Sequence, residues 1–558
     1  MRRAELQLSL RTTILATLAA LPVLAGLGLP AAATPGRGPD EPVFRAPVDW
    51  GYGPGVRPGS WRQKLQSAAE AALPRRAAAE VAGGRSAHLG GAFGPVMPYP
   101  IIPLHAVLLS DGRVFSFGTN ERGQQTGQFV YDLWDPRRGT GAGSHTILPV
   151  TTGTDLFCAG QTVLAGSSEV LLAGGDLTIR GRRNFATEDV NIFDPRRNSL
   201  RSAPKMRWKR WYPTLVTLAN GSVLTMGGYE RPGRAVITPE LYRPGSGWQT
   251  LSGATSDPAF GYTGLNWHYP RAYLRAAGDV VVIGNREGIF LLNPAGNGTI
   301  TRTAGSLPNG NRGLPTVMYA PGRVLSVRGG RAVSLIDLNG ATPRVTRTGS
   351  VSAHRLWSNA TVLPSGEVVV TGGSGTDVAI YQDVLRDVTY HAEIWSPTTG
   401  SWTRGASAAK PRLYHSVALL LPDATLLTAG GGAPGPVTNL NAEIYYPPYL
   451  YKRDGSGQLA PRPTIVAAPT ALPRNGSFQV QVGNGQRIAT VTLIRTGAPT
   501  HSFDADQRRL PLAFRQDGVR LTVTAAGGAT MAPPGYYLLF VLDQQGVPSI
   551  GRIVSLGV

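Results

Sequence analysis

The chain has 558 residues, 42% of them apolar, and a formal net charge of +20. That length exceeds one ordinary domain and suits one large β architecture with a smaller module; 71 Gly and 45 Pro with no Gly-X-Y period exclude collagen and point to a folded, turn-rich protein. The basic residues fall in scattered pairs such as Arg137-Arg138 and Arg508-Arg509, with no stripe, so a specific nucleic-acid partner is not expected.

Residues 1–33 read as a secretion signal. Arg2, Arg3 and Arg11 give a basic start, an apolar run follows from Ile14 to Leu29, and Ala31-Ala32-Ala33 offers a small-residue cleavage site. The run is short for a membrane span, and no other stretch could cross a bilayer, so the mature protein is expected without a transmembrane segment. Its expected location is extracellular or at the cell wall, where a basic chain is drawn to anionic cell-wall polymers. The wealth of Gly, Ala and Arg suggests a bacterium with a GC-rich genome. Residues 34–95 read as an N-terminal extension and linker, with a short helical segment in WRQKLQSAAEAALPRRAAAEVAGG.

One pattern then recurs: an apolar strand, a turn, a second apolar strand, then Gly. It ends at Gly118, Gly174, Gly227, Gly284, Gly329, Gly372 and Gly430, at spacings of 43–58 residues. A period near 50 is that of a kelch propeller. Several copies add a further strand ending in a turn (DLWDP, NIFDP, ELYRP, EIWSP, EIYYP), and four strands make a propeller blade. The fold class expected is all-β: a seven-bladed kelch-type propeller over 96–455, followed by a smaller domain over 461–558. Short alternating runs in that domain (FQVQV, ATVTLI, VRLTVTA, YYLLFVL) read as an immunoglobulin-like β-sandwich.

The residues just before each first strand of a blade lie near the propeller axis. Counting back 15 or 16 residues from each Gly collects Cys158, Tyr212, Tyr269 with His268 beside it, Trp357, and Tyr414 with His415. The first and fifth copies give only Pro103 and Leu314. Such a ring is costly to desolvate unless it is paired or metal-bound; alternatively, polar residues surround water on the axis. Imidazole and phenolate ligands suit copper(II). Cys158 is the only cysteine of an exported chain, and is therefore buried and inert, paired between chains, or reactive.

GTDLFCAG, RWYPTLVTLANGSVLTMGG, KPRLYHSVALLLPDATLLTAGG and IRTGAPTHSFDADQRRLPLAF, in that order, resemble the galactose oxidase and glyoxal oxidase family from about residue 95 onward. The resemblance implies a copper-radical oxidase of the bacterial glyoxal oxidase-like kind, with one copper ion. It implies a thioether between Cys158 and Tyr212, with Tyr212 as copper ligand and radical carrier. It implies His415 and His501 as imidazole ligands, and Tyr414 as axial phenolate and proton acceptor. The reaction implied is oxidation of a primary alcohol, aldehyde or glycan end by dioxygen, giving aldehyde or acid and hydrogen peroxide. In this family an aromatic ring, usually Trp, stacks over the thioether. Trp357 and Trp267 are the candidates here, because Trp248 reads as an outer-strand residue.

His105 reads as a packing residue. His88, His145 and His391 have no supporting context, and His268 and His354 lie near axial segments. A non-catalytic secreted propeller binding cell-wall glycan or protein is the alternative, and a copper-binding structural protein without turnover is a third. The complete set Cys158, Tyr212, Tyr414, His415 and His501 argues for the enzyme.

Overall fold

The structure, a computed structural model, describes residues 83–557 apart from 126–129, 180–181, 232, 262–267, 285–287, 309–312 and 380–381. The expected signal, the expected helix upstream of residue 83, and Trp267 lie outside the described residues. Two helical turns, Ala87–Gly90 and Asp257–Phe260, and a few 3-10 turns are the only helix among the described residues. None of these is long and apolar enough to cross a membrane.

The other regular structure among the described residues is sheet, antiparallel except for two parallel pairings. Seven meanders follow one another along the chain, called sheets 1 to 7 here. Their first strands are Pro103–Leu108, Gly160–Val163, Thr214–Thr217, Arg271–Leu274, Thr316–Ala320, Asn359–Val362 and Ser416–Leu420. Each pairs with a second strand that ends at or just before the repeat glycine, as Val223–Met226 does in sheet 3. A third and a fourth strand complete each sheet. In sheet 7 the fourth position is filled from the other end of the chain: Ala92–Phe93 pairs with Tyr446 and Tyr445, and Met97–Pro98 with Ala442 and Asn441. The stretch read as linker up to residue 95 therefore ends in a strand.

First and second strands are buried almost throughout, as in Val368–Thr371, whereas fourth strands such as Arg344–Arg347 are largely exposed. Strands covered on both faces read as continuous apolar runs, which is why VLLA and VVVT lack alternation. What covers them is the next sheet. Val107, Phe115 and Phe117 of sheet 1 form one core with Val163, Val170 and Leu172 of sheet 2. Val216, Leu224 and Met226 of sheet 3 form another with Ala272, Val280 and Val282 of sheet 4. Each sheet thus depends on its neighbours for burial.

The first strands are also tied laterally. Thr162 and Thr217 share a hydroxyl hydrogen bond at 3.1 Å, Tyr273 donates to Thr316 at 2.8 Å, and Asn359 donates to Ser416 Oγ at 3.1 Å. His105 Nδ1 meets Gln161 Oε1 at 2.8 Å. The first strand of sheet 7 packs against that of sheet 1.

The C-terminal residues form two further sheets. One holds Ala471–Leu472, Arg552–Leu556, Gly535–Asp543, Ile488–Arg495 and Phe503–Leu512 in that order; the other holds Ile465–Ala467, Ser477–Val482, Arg520–Thr524 and Phe514–Asp517. Ser477–Val482 alternates exposed and buried residues, and Val480, Leu493, Leu521 and Val541 meet in one core.

One hairpin leaves this domain. The strands Ile488–Arg495 and Phe503–Leu512, with the turn between them, reach the first strands of all seven sheets. Leu108 N–H donates to Gly497 O (3.0 Å, sheet 1), Gln161 Nε2 to Ala498 O (3.0 Å, sheet 2), and Arg495 Nη2 to Thr217 Oγ1 (2.9 Å, sheet 3). Arg271 Nη2 donates to His501 O (3.2 Å, sheet 4), and Phe503 pairs in parallel with Thr316 (sheet 5). Val362 N–H donates to Gln507 Oε1 (2.7 Å, sheet 6). A Cβ on Gly497 would lie 2.8 Å from Leu419 Cδ1 (sheet 7), so only glycine lets the hairpin in so closely.

Candidate metal centre

The residues singled out by their offset share a backbone conformation. Cys158, Tyr212, Tyr269 and Trp357 each stand two residues before a first strand and have φ of 59°, 63°, 40° and 63°. In sheet 7 the left-handed residue is His415 (φ 66°), immediately before the strand, and in sheet 5 it is Gly313 (φ 70°). Bulky residues rarely adopt this region, and such strain concentrates at functional sites. Adjacent turns are stitched together: Tyr212 N–H donates to Cys158 O (3.0 Å) and Tyr269 N–H to Tyr212 O (2.9 Å). In sheets 2, 3, 4, 6 and 7 a left-handed residue with a large or ligating side chain thus stands just before the strand begins. His501, also left-handed (φ 47°), arrives from the hairpin.

The structure brings Cys158, Tyr212, Tyr414, His415 and His501 together, all buried. His415 Nε2 lies 3.9 Å and His501 Nε2 3.5 Å from Cys158 Sγ, and the three atoms lie within 4.8 Å of one another. The Tyr212 and Tyr414 hydroxyls are 3.0 Å apart. The Tyr414 ring stacks on His415 at 3.7 Å between centroids, and Tyr212 meets His501 edge-on at 5.2 Å.

Hydrogen bonding fixes which imidazole nitrogen faces the centre. His415 Nδ1 lies 2.7 Å from Gly432 O, which can only accept, so Nδ1 carries the proton and Nε2 is a bare lone pair. Thr500 Oγ1 donates to Leu104 O at 3.0 Å; its 2.6 Å contact with His501 Nδ1 is therefore an accepted bond. His501 Nε2 is then also a lone pair directed at the thiol. Fixing the far nitrogen in this way is how proteins orient metal-binding histidines.

Burial drives the electrostatics. It holds His415 at about 3, the Gly432 bond opposing this in part, and keeps His501 well below its ordinary value with His415 and His105 adding to the effect. Burial pushes the Cys158 thiol well up, against a hydrogen bond from Tyr212 that lowers it; burial, then Cys158 and Tyr414, pushes Tyr212 well up. Two neutral imidazoles and two phenols gathered in one buried cluster make a pocket whose protonation order a cation would invert.

Four further aromatic rings frame the site. Trp357, a candidate stacking ring, lies on Tyr414 (4.4 Å, 60°) and donates its N–H to Asp377 at 2.8 Å. Among the described residues, the tryptophan beside Tyr212 is its neighbour Trp211, 4.6 Å between centroids and inclined by 30°, with its N–H on Phe157 O at 3.2 Å. The left-handed turn at Tyr212 lets consecutive rings lie together, which a search along a separate loop cannot reveal. His268 presents its ring to Tyr212 at 4.2 Å, nearly perpendicular, and Tyr269 lies 4.8 Å from His501. His105 stacks on Phe117 at 4.3 Å with its ring 5.8 Å from that of His501, whereas His145 pairs with Asp132 at 2.7 Å and His391 meets Ser352 Oγ at 3.0 Å. Thr500 and Gly432, the two hydrogen-bond partners of the imidazoles, had no signal in the sequence.

The family profile described as Galactose oxidase-like, Early set domain matches residues 462–556. A galactose oxidase of Gibberella zeae is 28% identical over 500 residues, covering 84% of this chain and 70% of that protein. Over most of its length the chain is similar to the galactose oxidase and glyoxal oxidase family. Aldehyde oxidase GLOX1 of Arabidopsis thaliana is 25% identical over 465 residues, 74% of this chain and 73% of its own. Among solved structures, a fungal alcohol oxidase of the AA5 family in complex with copper superposes with a TM-score of 0.74 at 23% identity, over 84% of this chain and all of that one, which shows a shared fold.

Proposed function

We propose that this chain is a secreted copper-radical oxidase that converts a primary alcohol or aldehyde, with dioxygen, into aldehyde or carboxylic acid and hydrogen peroxide. Its relatives are named as galactose oxidase and aldehyde oxidases, and the chain is a copper-dependent oxidoreductase similar to them. The proposed organisation is a signal over 1–33, an extension over 34–95, a seven-bladed propeller over 96–455 with the seven sheets as blades, and a sandwich over 461–558. Export would take the protein outside the cell, to a cell wall whose anionic polymers suit its charge.

The observation that carries the reading is the pair of bare Nε2 lone pairs on His415 and His501 beside two phenol oxygens 3.0 Å apart. Nitrogen and oxygen donors of this kind suit copper(II), and Tyr212, Tyr414, His415 and His501 would hold it. When bound, copper supplies a Lewis-acidic template for the substrate oxygen and takes one of the two electrons that the substrate gives up.

The remaining chemistry is assigned to the chain. Tyr414, in hydrogen-bond reach of Tyr212, accepts the substrate hydroxyl proton. Tyr212, oxidised beforehand, takes the hydrogen atom from the substrate carbon, and so receives the second electron. Cys158, fully buried and hydrogen-bonded with Tyr212, supplies the thioether that spreads the unpaired spin. Trp211 covers one side of the Tyr212 ring and His268 meets another, excluding water from the oxidised phenol. The test is peroxide release from copper-loaded protein over a panel of primary alcohols, aldehydes and oligosaccharides. Release with at least one class supports the oxidase; silence across the panel, with the thioether present, refutes it.

A further inference from the structure

Three arginines occupy one position in the repeat. Arg210, Arg355 and Arg412 each stand two residues before an aromatic of the ring: Tyr212, Trp357 and Tyr414. Each is fully buried against a buried glutamate on the third strand of its own sheet: Arg210–Glu240 at 2.9 Å, Arg355–Glu393 at 2.7 Å and Arg412–Glu443 at 3.0 Å.

The surrounding bonds repeat as well. Each guanidinium donates to the carbonyl of the repeat glycine, namely Gly227 (2.8 Å), Gly372 (2.9 Å) and Gly430 (3.1 Å). Each also donates to the carbonyl two residues before its glutamate: Thr238 (2.6 Å), His391 (2.9 Å) and Asn441 (2.9 Å). The first carboxylate oxygen of each glutamate accepts the backbone N–H three residues before the arginine, from Arg207 (2.7 Å), Ser352 (2.8 Å) and Ala409 (2.7 Å). The loop that enters the ring is thereby tied at both ends to a strand.

The pair is complete in these three sheets alone among the described residues. Sheets 1, 2 and 4 carry Tyr99, Leu156 and Trp267 at the arginine position. Asp132, Asn191 and Phe290 stand at their glutamate register. Sheet 5 keeps Arg312 in the sequence but sets Val333 at the glutamate register. The pair thus accompanies Tyr212, Trp357 and Tyr414 and is absent beside Tyr269, so it marks the two turns that carry the paired phenols and one more, not every repeat.

We infer that the buried pairs Arg412–Glu443 and Arg210–Glu240 are positioning residues for the metal centre, holding the Tyr414–His415 and Tyr212 turns in their left-handed conformation. This rests on the oxidase reading for its purpose, not for its geometry. A buried ion pair is a costly way to gain stability, because a matched apolar pair often does as well; what it supplies here is direction. The guanidinium fork reaches a carboxylate and two carbonyls at once, which neither lysine nor an apolar side chain can do.

The test is the double variant Arg412→Met/Glu443→Met, compared with wild type and with Arg355→Met/Glu393→Met. Histidine-selective 15N NMR of metal-free protein reads whether His415 keeps its single Nδ1–H form, and a chelator competition reads copper affinity. The expected result is a melting temperature within a few degrees of wild type in both double variants. Only the 412/443 variant shows averaged His415 nitrogens, and its copper affinity falls at least tenfold. Unchanged His415 shifts with affinity within twofold of wild type would overturn the inference. If wild type itself binds no copper, the oxidase reading fails while the NMR comparison still decides the latch. Should the double variant not fold, Arg412→Lys keeps the charge but not the fork, and is expected to shift the same signals.

Discussion

Replacing Thr500 by Val tests how the hairpin aims His501. The two side chains have nearly the same shape, so packing is preserved while two hydrogen bonds go: the one accepted from His501 Nδ1 at 2.6 Å and the one donated to Leu104 O at 3.0 Å. A buried donor left without a partner costs about 1–3 kcal/mol. His501 is 2% exposed and cannot turn to water, so the metal-free variant avoids the cost by moving its proton to Nε2. That is the nitrogen that faces Cys158 and that copper would need. Binding then has to restore the strained form, so the whole penalty falls on affinity: a factor of roughly 5–150, at about 1.4 kcal/mol per tenfold. Competition with a chelator of known affinity measures it. Thr500→Ser, which keeps the hydroxyl, is expected to restore most of the loss. An affinity for Thr500→Val within twofold of wild type would refute the tautomer argument.

Other consequences can be checked separately. Gly497→Ala would place a Cβ 2.6 Å from Asp504 Oδ2 and 2.8 Å from Leu419 Cδ1; overpacking of this kind costs about 1–3 kcal/mol, to be read from urea unfolding, and copper occupancy falls as the hairpin is pushed back. Burial and the neighbouring Asp506 raise Asp504 to about 7, so the folded protein holds a proton that the unfolded chain releases. Its contribution to stability is therefore greatest at low pH and is lost as pH rises from about 4 to 7. Asp504→Asn flattens that decline between pH 5 and pH 7, and an unaltered pH profile would contradict the assignment. Deleting residues 83–98 strips the fourth strand from sheet 7 and uncovers Tyr445, which packs on Phe93 at 4.9 Å; the melting temperature drops and limited proteolysis begins in sheet 7. Trp211→Ala removes the ring beside Tyr212, and is expected to shorten the lifetime of the Tyr212 radical in EPR more than Trp357→Ala does.

Much of this was legible because a repeat exposes its own exceptions. Seven glycines mark the ends of second strands, and counting back from them finds four of the five residues that converge. The fifth, His501, lies outside the repeat and was reached through the resemblance of its flanking residues; no periodicity places a hairpin of one domain among the first strands of another. The closing strand of sheet 7 was missed for a physical reason. Ala92–Phe93 and Met97–Pro98 are two residues each, too short to show alternation, and their partners lie some 350 residues away. Trp211 was overlooked because adjacent side chains normally diverge, and only the left-handed turn at Tyr212 lets them meet. The arginine–glutamate pairs were present in the text as R-x-aromatic and E-[LI]-aromatic, but their meaning depends on strand register, which the structure supplies.

The central claim is that Cys158 and Tyr212 become one cofactor, and peptide mass spectrometry of protein loaded with copper in air tests it most directly. The account predicts a cross-linked pair of peptides carrying Cys158 and Tyr212, lighter by two hydrogens than their sum and absent from protein kept free of metal. A free Cys158 thiol after copper and oxygen would contradict the account at its centre.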